Sequence, residues 1–221
     1  MKQYIIIVAG GSGSRMGSTI PKQFLDLNSK PILMHTINKM HSSLEGSEII
    51  LALPKSEFDT WKNLCQQHQF NISHQLVEGG NTRFESVKNA LQKVTMNSII
   101  AVHDGVRPLV KESVVKQCMQ SAKEKGASIP ILPIEESLRQ KTDSGSAVVN
   151  RDNYLIVQTP QCFTSEVLLK AYQQDYVASF TDDASVVEAL GVDVHLIQGN
   201  KENIKITTAE DLKIAEIYTS F

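Results

Sequence analysis

The chain has 221 residues, 41% of them hydrophobic and 21% charged, which excludes a disordered tail or a fibrous repeat and suits one globular domain carrying an appendage. Its 22 basic side chains face 24 acidic ones, a formal charge of -2, so no global field exists to hold a nucleic acid or an anionic membrane and any phosphate chemistry has to be local. No apolar stretch near the start is long enough for a signal peptide or a spanning helix, and a cytoplasmic location is expected.

Tyr4 to Ala9 is a short apolar run stopped by glycines and reads as a buried strand. Pro31 to Met40 follows as a helix with proline in its first turn. Glu48 to Leu53 is a second strand ending at Pro54, and Glu57 to His68 a second helix. After the apolar run Ile72 to Val77, a helix over Thr82 to Val94 opens with Thr82 and Glu85 at capping-box spacing. Ser98 to Val102 is a strand ending at His103 and Asp104; Lys111 to Lys125 and Ala209 to Tyr218 are further helices. Short strands rich in Ile and Val suit burial on both faces. Their alternation with helices predicts β-α-β units in an open parallel sheet, with ligands at the strand C-termini.

Residues 135–153 break this rhythm. They are mostly polar, with Gly145 between the short stretches Ser137 to Lys141 and Ala147 to Asn150, a pattern that predicts a hairpin. A hairpin with few neighbours of its own is better stabilised by a second subunit, so a homodimer clasped by this arm is expected. The alternative is a mobile surface loop. Cys65, Cys118 and Cys162 fit neither a zinc spacing nor a disulfide framework and read as reduced thiols in or near the core. Cys162, just after Thr159-Pro160-Gln161, stays open between a buried and an accessible position.

The first strand runs into Gly10-Gly11-Ser12-Gly13-Ser14-Arg15-Met16-Gly17, with Pro21-Lys22 soon after. Small residues let backbone N–H groups approach an anion, and Arg15 and Lys22 supply counter-charge, so this reads as a phosphate cradle. The glycine spacing is not the dinucleotide fingerprint, and no Gly-Lys-Ser/Thr ending makes a Walker loop. Asp104 closes a buried strand, a placement that requires a cation or donors; Mg²⁺ held with substrate phosphates would meet it, and a ribose contact is the alternative. His103 has no second His or Cys at metal-ligand spacing and reads as structural.

Ala9 to Met16 with Pro21-Lys22-Gln23 resembles the signature loop of nucleotidyltransferases that activate sugar or polyol phosphates. It is most similar to the 2-C-methyl-D-erythritol 4-phosphate cytidylyltransferase family of the non-mevalonate isoprenoid pathway. Later segments match in order: Gly79-Gly80 with Arg83 and Ser86-Val87, His103 to Pro108, Arg151, Gln158 to Gln161, Thr181 to Ser185, and Asn203 to Thr207. The resemblance implies an α/β, Rossmann-like nucleotidyltransferase fold over residues 1–221, with a mostly parallel sheet flanked by helices and a protruding β-arm.

The implied reaction joins CTP and a polyol phosphate, releasing pyrophosphate. By resemblance Arg15 and Lys22 stabilise the transition state, and Ala9, Gly10, Gly11, Ser12, Gly13, Gly80, Asn81, Ser86, Asp104 and Gly105 surround CTP. Arg107, Ser137, Arg151, Thr159, Thr181 and Lys205 gather around the acceptor phosphate, with Arg151 and Lys205 orienting the attack. Because Ser137 and Arg151 fall on the arm, one subunit is expected to complete the other's site. The family often carries Asp where this chain has Asn81 and Thr where it has Ser137. A ribitol 5-phosphate cytidylyltransferase and a non-catalytic nucleotide-binding regulator are the rival readings.

Overall fold

The computed structural model describes residues 1–11 and 20–219; Ser12, Gly13 and Arg15 of the expected cradle lie outside them. The first strand, β1 (Lys2–Val8), is followed by a tight hairpin of β2 (Asp26–Leu27) and β3 (Lys30–Pro31) and by α1 (Ile32–Ser43). Then come β4 (Glu48–Leu53), α2 (Phe58–Gln67), β5 (Gln75–Glu78), α3 (Arg83–Leu91), β6 (Ser98–Asp104) and α4 (Glu112–Lys125). Apart from the β2–β3 hairpin, which the sequence does not announce, these elements match the sequence expectation to within a few residues. Thr82 caps α3 as expected: its hydroxyl accepts from the Glu85 N–H at 3.1 Å, and the Glu85 carboxylate accepts from the Thr82 N–H.

The second half adds β7 (Ala127–Pro133), the hairpin β8 (Arg139–Thr142) and β9 (Gly145–Val148), β10 (Leu155–Val157), β11 (Gln161–Thr164), α5 (Ser165–Ala171), α6 (Asp183–Glu188), β12 (His195–Gln198) and α7 (Ala209–Thr219). The main sheet runs β10-β7-β11-β6-β1-β4-β5, with β12 also paired to β7. Strands β6, β1, β4 and β5 are mutually parallel, whereas β10 and β11 run antiparallel to their neighbours. The sheet is thus mostly parallel, as expected, with two antiparallel strands that the alternation of strands and helices does not foretell. The chain returns from the hairpin without a helical crossover, so it re-enters the sheet in the opposite sense.

Successive β1 side chains enter opposite faces, as the pleat requires. Tyr4 and Ile6 pack with Phe84, Val87, Leu168 and Val187; Ile5 and Ile7 pack with Leu33, Met34, Ile37, Trp61 and Cys118. All four β1 residues are fully buried, each worth about 1.5–3 kcal/mol against exposure. Cys118 and Cys162 are buried and Cys65 partly so. The open position of Cys162 is thus resolved in favour of the core, where burial pushes its thiol pKa up. The hairpin β8–β9 exists, and every one of its residues is exposed. Among the described residues no helix is long and apolar enough to cross a membrane.

Candidate active site

The C-terminal ends of β1, β5 and β6 open onto one cleft of about 240 Å³. Ala9, Gly10, Gly11, Lys22, Gly80, Asn81, Ser86, Asp104 and Lys205 all line it, so the chain brings together most of the described residues that the sequence singles out. Lys22 begins a three-residue 3-10 turn, Lys22–Phe24. Phe24 stacks on Trp61 with ring centres 6.1 Å apart, which anchors that turn to α2. The Lys22 side chain crosses Gly11 so closely that a Cβ there would stand 2.8 Å from Cε. Gly105 is needed for a similar reason: its N–H bonds to the Val8 carbonyl at 2.9 Å, and a Cβ would lie 2.8 Å from that of Ala9.

On the α3 wall the backbone is already organised. The Gly80 N–H donates to Ser86 Oγ at 3.1 Å, Ser86 donates to the Thr82 carbonyl at 2.9 Å, and the Asn81 N–H donates to Glu85 Oε2 at 2.6 Å. The capping box therefore sets the shape of the loop expected to meet the nucleoside.

Asp104 organises the end of the cleft formed by β6. Its carboxylate lies 3.1 Å from Arg107 Nε, 3.1 Å from Lys205 Nζ and 3.6 Å from Arg83 Nε. Burial alone would raise its pKa, but Arg83, Lys205 and Arg107 more than offset that and hold it well below the usual carboxylate range. Arg83 also donates to the fully buried Asp183 at 2.7 Å, and Tyr172 donates to the other oxygen of that carboxylate at 2.5 Å. Burial opposes the Arg83 charge, yet Asp183 and Asp104 outweigh it and raise the pKa. Arg83 thus ties the strand end of β6 to the start of α6. The sequence motifs contain Arg83 and Asp183 but give neither a role, because each one's partner comes from a distant part of the chain.

His103 is structural, as expected. Its Nε2–H donates to the Arg107 carbonyl at 3.0 Å, while Nδ1 accepts from the Thr159 hydroxyl at 2.9 Å. The Thr159 oxygen in turn accepts from the Asp104 N–H at 3.2 Å. Burial pushes the His103 pKa down to about 4. The Thr159 hydroxyl has one proton and spends it on His103, so its expected part as a donor to the acceptor phosphate gives way to supporting the backbone beneath Asp104. Asn203, fully buried, extends this support: its Nδ2–H donates to the Thr159 carbonyl at 2.8 Å and its carbonyl accepts from Arg107 Nη1 at 2.8 Å. Lys205 is thereby delivered to the cleft two residues later.

The remaining expected residues lie elsewhere in the chain. Ser137 and Arg151 are exposed at the two ends of the arm, where Arg151 donates to the Glu135 carbonyl. Thr181 is exposed beside a small cavity shared with Arg83, Phe84 and Tyr172. The cation that the buried Asp104 carboxylate requires is supplied threefold by Arg83, Arg107 and Lys205. Among the described residues no three His, Cys, Asp or Glu side chains come together to hold a metal. A divalent ion would therefore take its ligands mainly from substrate phosphates, with Asp104 as the one carboxylate lining the described cleft.

Comparison with known proteins agrees with this geometry. The sequence model of the 2-C-methyl-D-erythritol 4-phosphate cytidylyltransferase family matches residues 3–220. Proteins of that name from Bacteroides thetaiotaomicron and Porphyromonas gingivalis are 52% and 49% identical over 214 and 217 residues, covering 97% and 98% of this chain and 98% and 97% of theirs. The solved structure of the Thermus thermophilus enzyme of that name superimposes with a TM-score of 0.83 at 29% identity, covering all of both chains. That of Francisella tularensis does so with 0.83 at 32% identity, covering 98% of this chain and 99% of that one. With the whole chain matched and the cleft in place at the strand ends, the chain belongs to the 2-C-methyl-D-erythritol 4-phosphate cytidylyltransferase family.

Proposed function

We propose that this chain transfers the cytidylyl group of CTP to 2-C-methyl-D-erythritol 4-phosphate, giving 4-diphosphocytidyl-2-C-methyl-D-erythritol and pyrophosphate, a step in isoprenoid precursor synthesis. The observation that carries it is the convergence of Arg107 and Lys205 on Asp104, beside the glycine-rich end of β1 that Lys22 crosses. An oxygen of the acceptor phosphate forms a bond to the α-phosphorus, and the bond from that phosphorus to the pyrophosphate oxygen breaks. The attacking oxygen is already anionic, so the chemistry needs positioning and charge stabilisation rather than a general base. Lys22 faces the CTP phosphates and Arg15 shares the task of stabilising their charge; Lys205 and Arg107, positioned by Asp104, receive the acceptor phosphate. A divalent cation such as Mg²⁺ would be held mainly by the triphosphate, with Asp104 the carboxylate within the cleft, and would supply counter-charge there.

The working form is a cytoplasmic homodimer in which Ser137, Arg151 and Thr181 complete the acceptor sites, the first two across subunits. In support, Tyr154, Leu155, Ile156 and Val157 form an exposed apolar row on and beside the edge strand β10, and Val148 at the end of the hairpin is 77% exposed. Such a row along a sheet edge needs a covering partner. Pyrophosphate release from CTP with purified 2-C-methyl-D-erythritol 4-phosphate tests the reaction, with ribitol 5-phosphate, UTP, ATP and GTP as controls. Release that requires methylerythritol phosphate and CTP is expected; release with neither acceptor overturns the reading, and equal release with UTP removes its cytidine specificity.

A further inference from the structure

Gln23 is 1% exposed yet lines the cleft, and its Oε1 is buried without a hydrogen-bond partner among the described residues. Buried amide oxygens are ordinarily satisfied, because an unpaired one forfeits its water at full cost. Among the described residues two other buried side-chain oxygens lack partners, Ser128 Oγ and Asn203 Oδ1, and neither residue lines the cleft. Gln23 is held in place by its turn. Lys22 precedes it, and the following Phe24 is stacked on Trp61.

An amide oxygen only accepts, so its partner must bring an N–H or O–H. Phosphate groups at neutral pH offer acceptors alone. Lys22 marks where the phosphates lie, and the donors that flank the phosphates on either side are hydroxyls, those of the CTP ribose and those of the polyol. The cytosine amino group is farther off by the length of the ribose. We propose that Gln23 Oε1 accepts a hydrogen bond from a substrate hydroxyl, which makes Gln23 a specificity-determining residue; this role presupposes the cytidylyl transfer proposed above. A site built to accept from a hydroxyl rejects analogues that lack it, because the buried oxygen is then left unpaired.

Wild-type turnover is measured first: its absence sinks the reaction and with it the role given to Gln23, whereas the outcomes below bear on Gln23 alone. Gln23→Met keeps the length of the side chain and removes the acceptor. It is expected to raise KM for one substrate about 10-fold, the worth of a single hydrogen bond, and to leave the other KM unchanged. If the ribose is the donor, 2′-deoxy-CTP or 3′-deoxy-CTP shows the same penalty with the wild type and no further penalty with Gln23→Met. If the polyol is the donor, the acceptor KM rises and both deoxynucleotides keep their wild-type ratio to CTP. Unchanged KM values for both substrates overturn the proposal. An equal rise in both, with a lower kcat, reports distortion of the Lys22 turn and overturns it too. Should Gln23→Met fail to fold, Gln23→Asn withdraws the oxygen by one methylene and is judged by the same outcomes.

Discussion

The Lys205 ammonium stands 3.1 Å from the Asp104 carboxylate, joining the segment before α7 to the end of β6. Asp104 fixes this cation and, through a second contact at 3.1 Å, Arg107 as well. Lys205→Ala should lower kcat about 10²–10³-fold, taking removal of an oxyanion-hole donor as the guide. The KM for the acceptor should rise and that for CTP change little. Steady-state kinetics with each substrate varied in turn checks this, and a normal rate contradicts the role given to Lys205.

His103 links stability to pH. Its folded pKa of about 4 lies below the ordinary value of 6.5, so between these limits the unfolded chain binds the extra proton. Stability is therefore fully present above about pH 6.5 and is lost as pH falls towards 4, by an amount on the order of 3 kcal/mol. Urea unfolding from pH 4.5 to 7.5 should show this slope, and His103→Gln should flatten it. Asp104, with its depressed pKa, contributes stability throughout that window and titrates only below it.

Arg83 bridges Asp104 and the fully buried Asp183. Arg83→Met should destabilise the fold by about 3–5 kcal/mol, because a buried carboxylate is left with Tyr172 as its remaining side-chain donor among the described residues. Adding Asp183→Asn should recover part of the loss. Independent, additive penalties in a double-mutant cycle would contradict the coupling.

Thr82→Ala removes the hydroxyl cap of α3 and should cost about 1 kcal/mol of stability. Because Glu85 of the same capping box also holds the Asn81 N–H, the KM for CTP should rise while that for the acceptor stays near wild type. Thermal unfolding and substrate-resolved kinetics separate the two effects.

Ile156→Glu places a charge in the exposed row of β10 and should shift the protein towards monomer in sedimentation velocity. Turnover should fall with the dimer fraction, since Ser137 and Arg151 are expected to act across subunits. Full activity in a proven monomer sinks that part of the proposal.

Much of the fold is legible in the residues themselves. Tyr4 to Ala9, Glu48 to Leu53 and Ser98 to Val102 declare buried strands because two-sided burial leaves an unbroken apolar run, and Thr82 with Glu85 declares a helix start. The strands β10, β11 and β12 are only three or four residues long, too short for a run or an alternation to declare them. The antiparallel direction of β10 and β11 follows from where the arm returns the chain. The glycines, Lys22 and Asp104 likewise mark the cleft by residue type and position alone.

What local sequence cannot contain is the set of partners. Asp104 reads as a carboxylate in want of a cation, and folding brings it three, Arg83, Arg107 and Lys205. Thr159 reads as a hydroxyl for substrate until folding directs its O–H to His103 Nδ1. Gln23 carries no signal beyond its place in a motif, and its unpartnered oxygen emerges only when Phe24 docks on Trp61 and the turn closes. Apolar periodicity and turn chemistry act over a few residues, so the chain by itself determined its main strands and helices and the glycine-rich end of β1. Charge pairing and hydrogen-bond satisfaction act across the packed sheet, and only the tertiary structure decided which groups hold one another and which remain for a ligand.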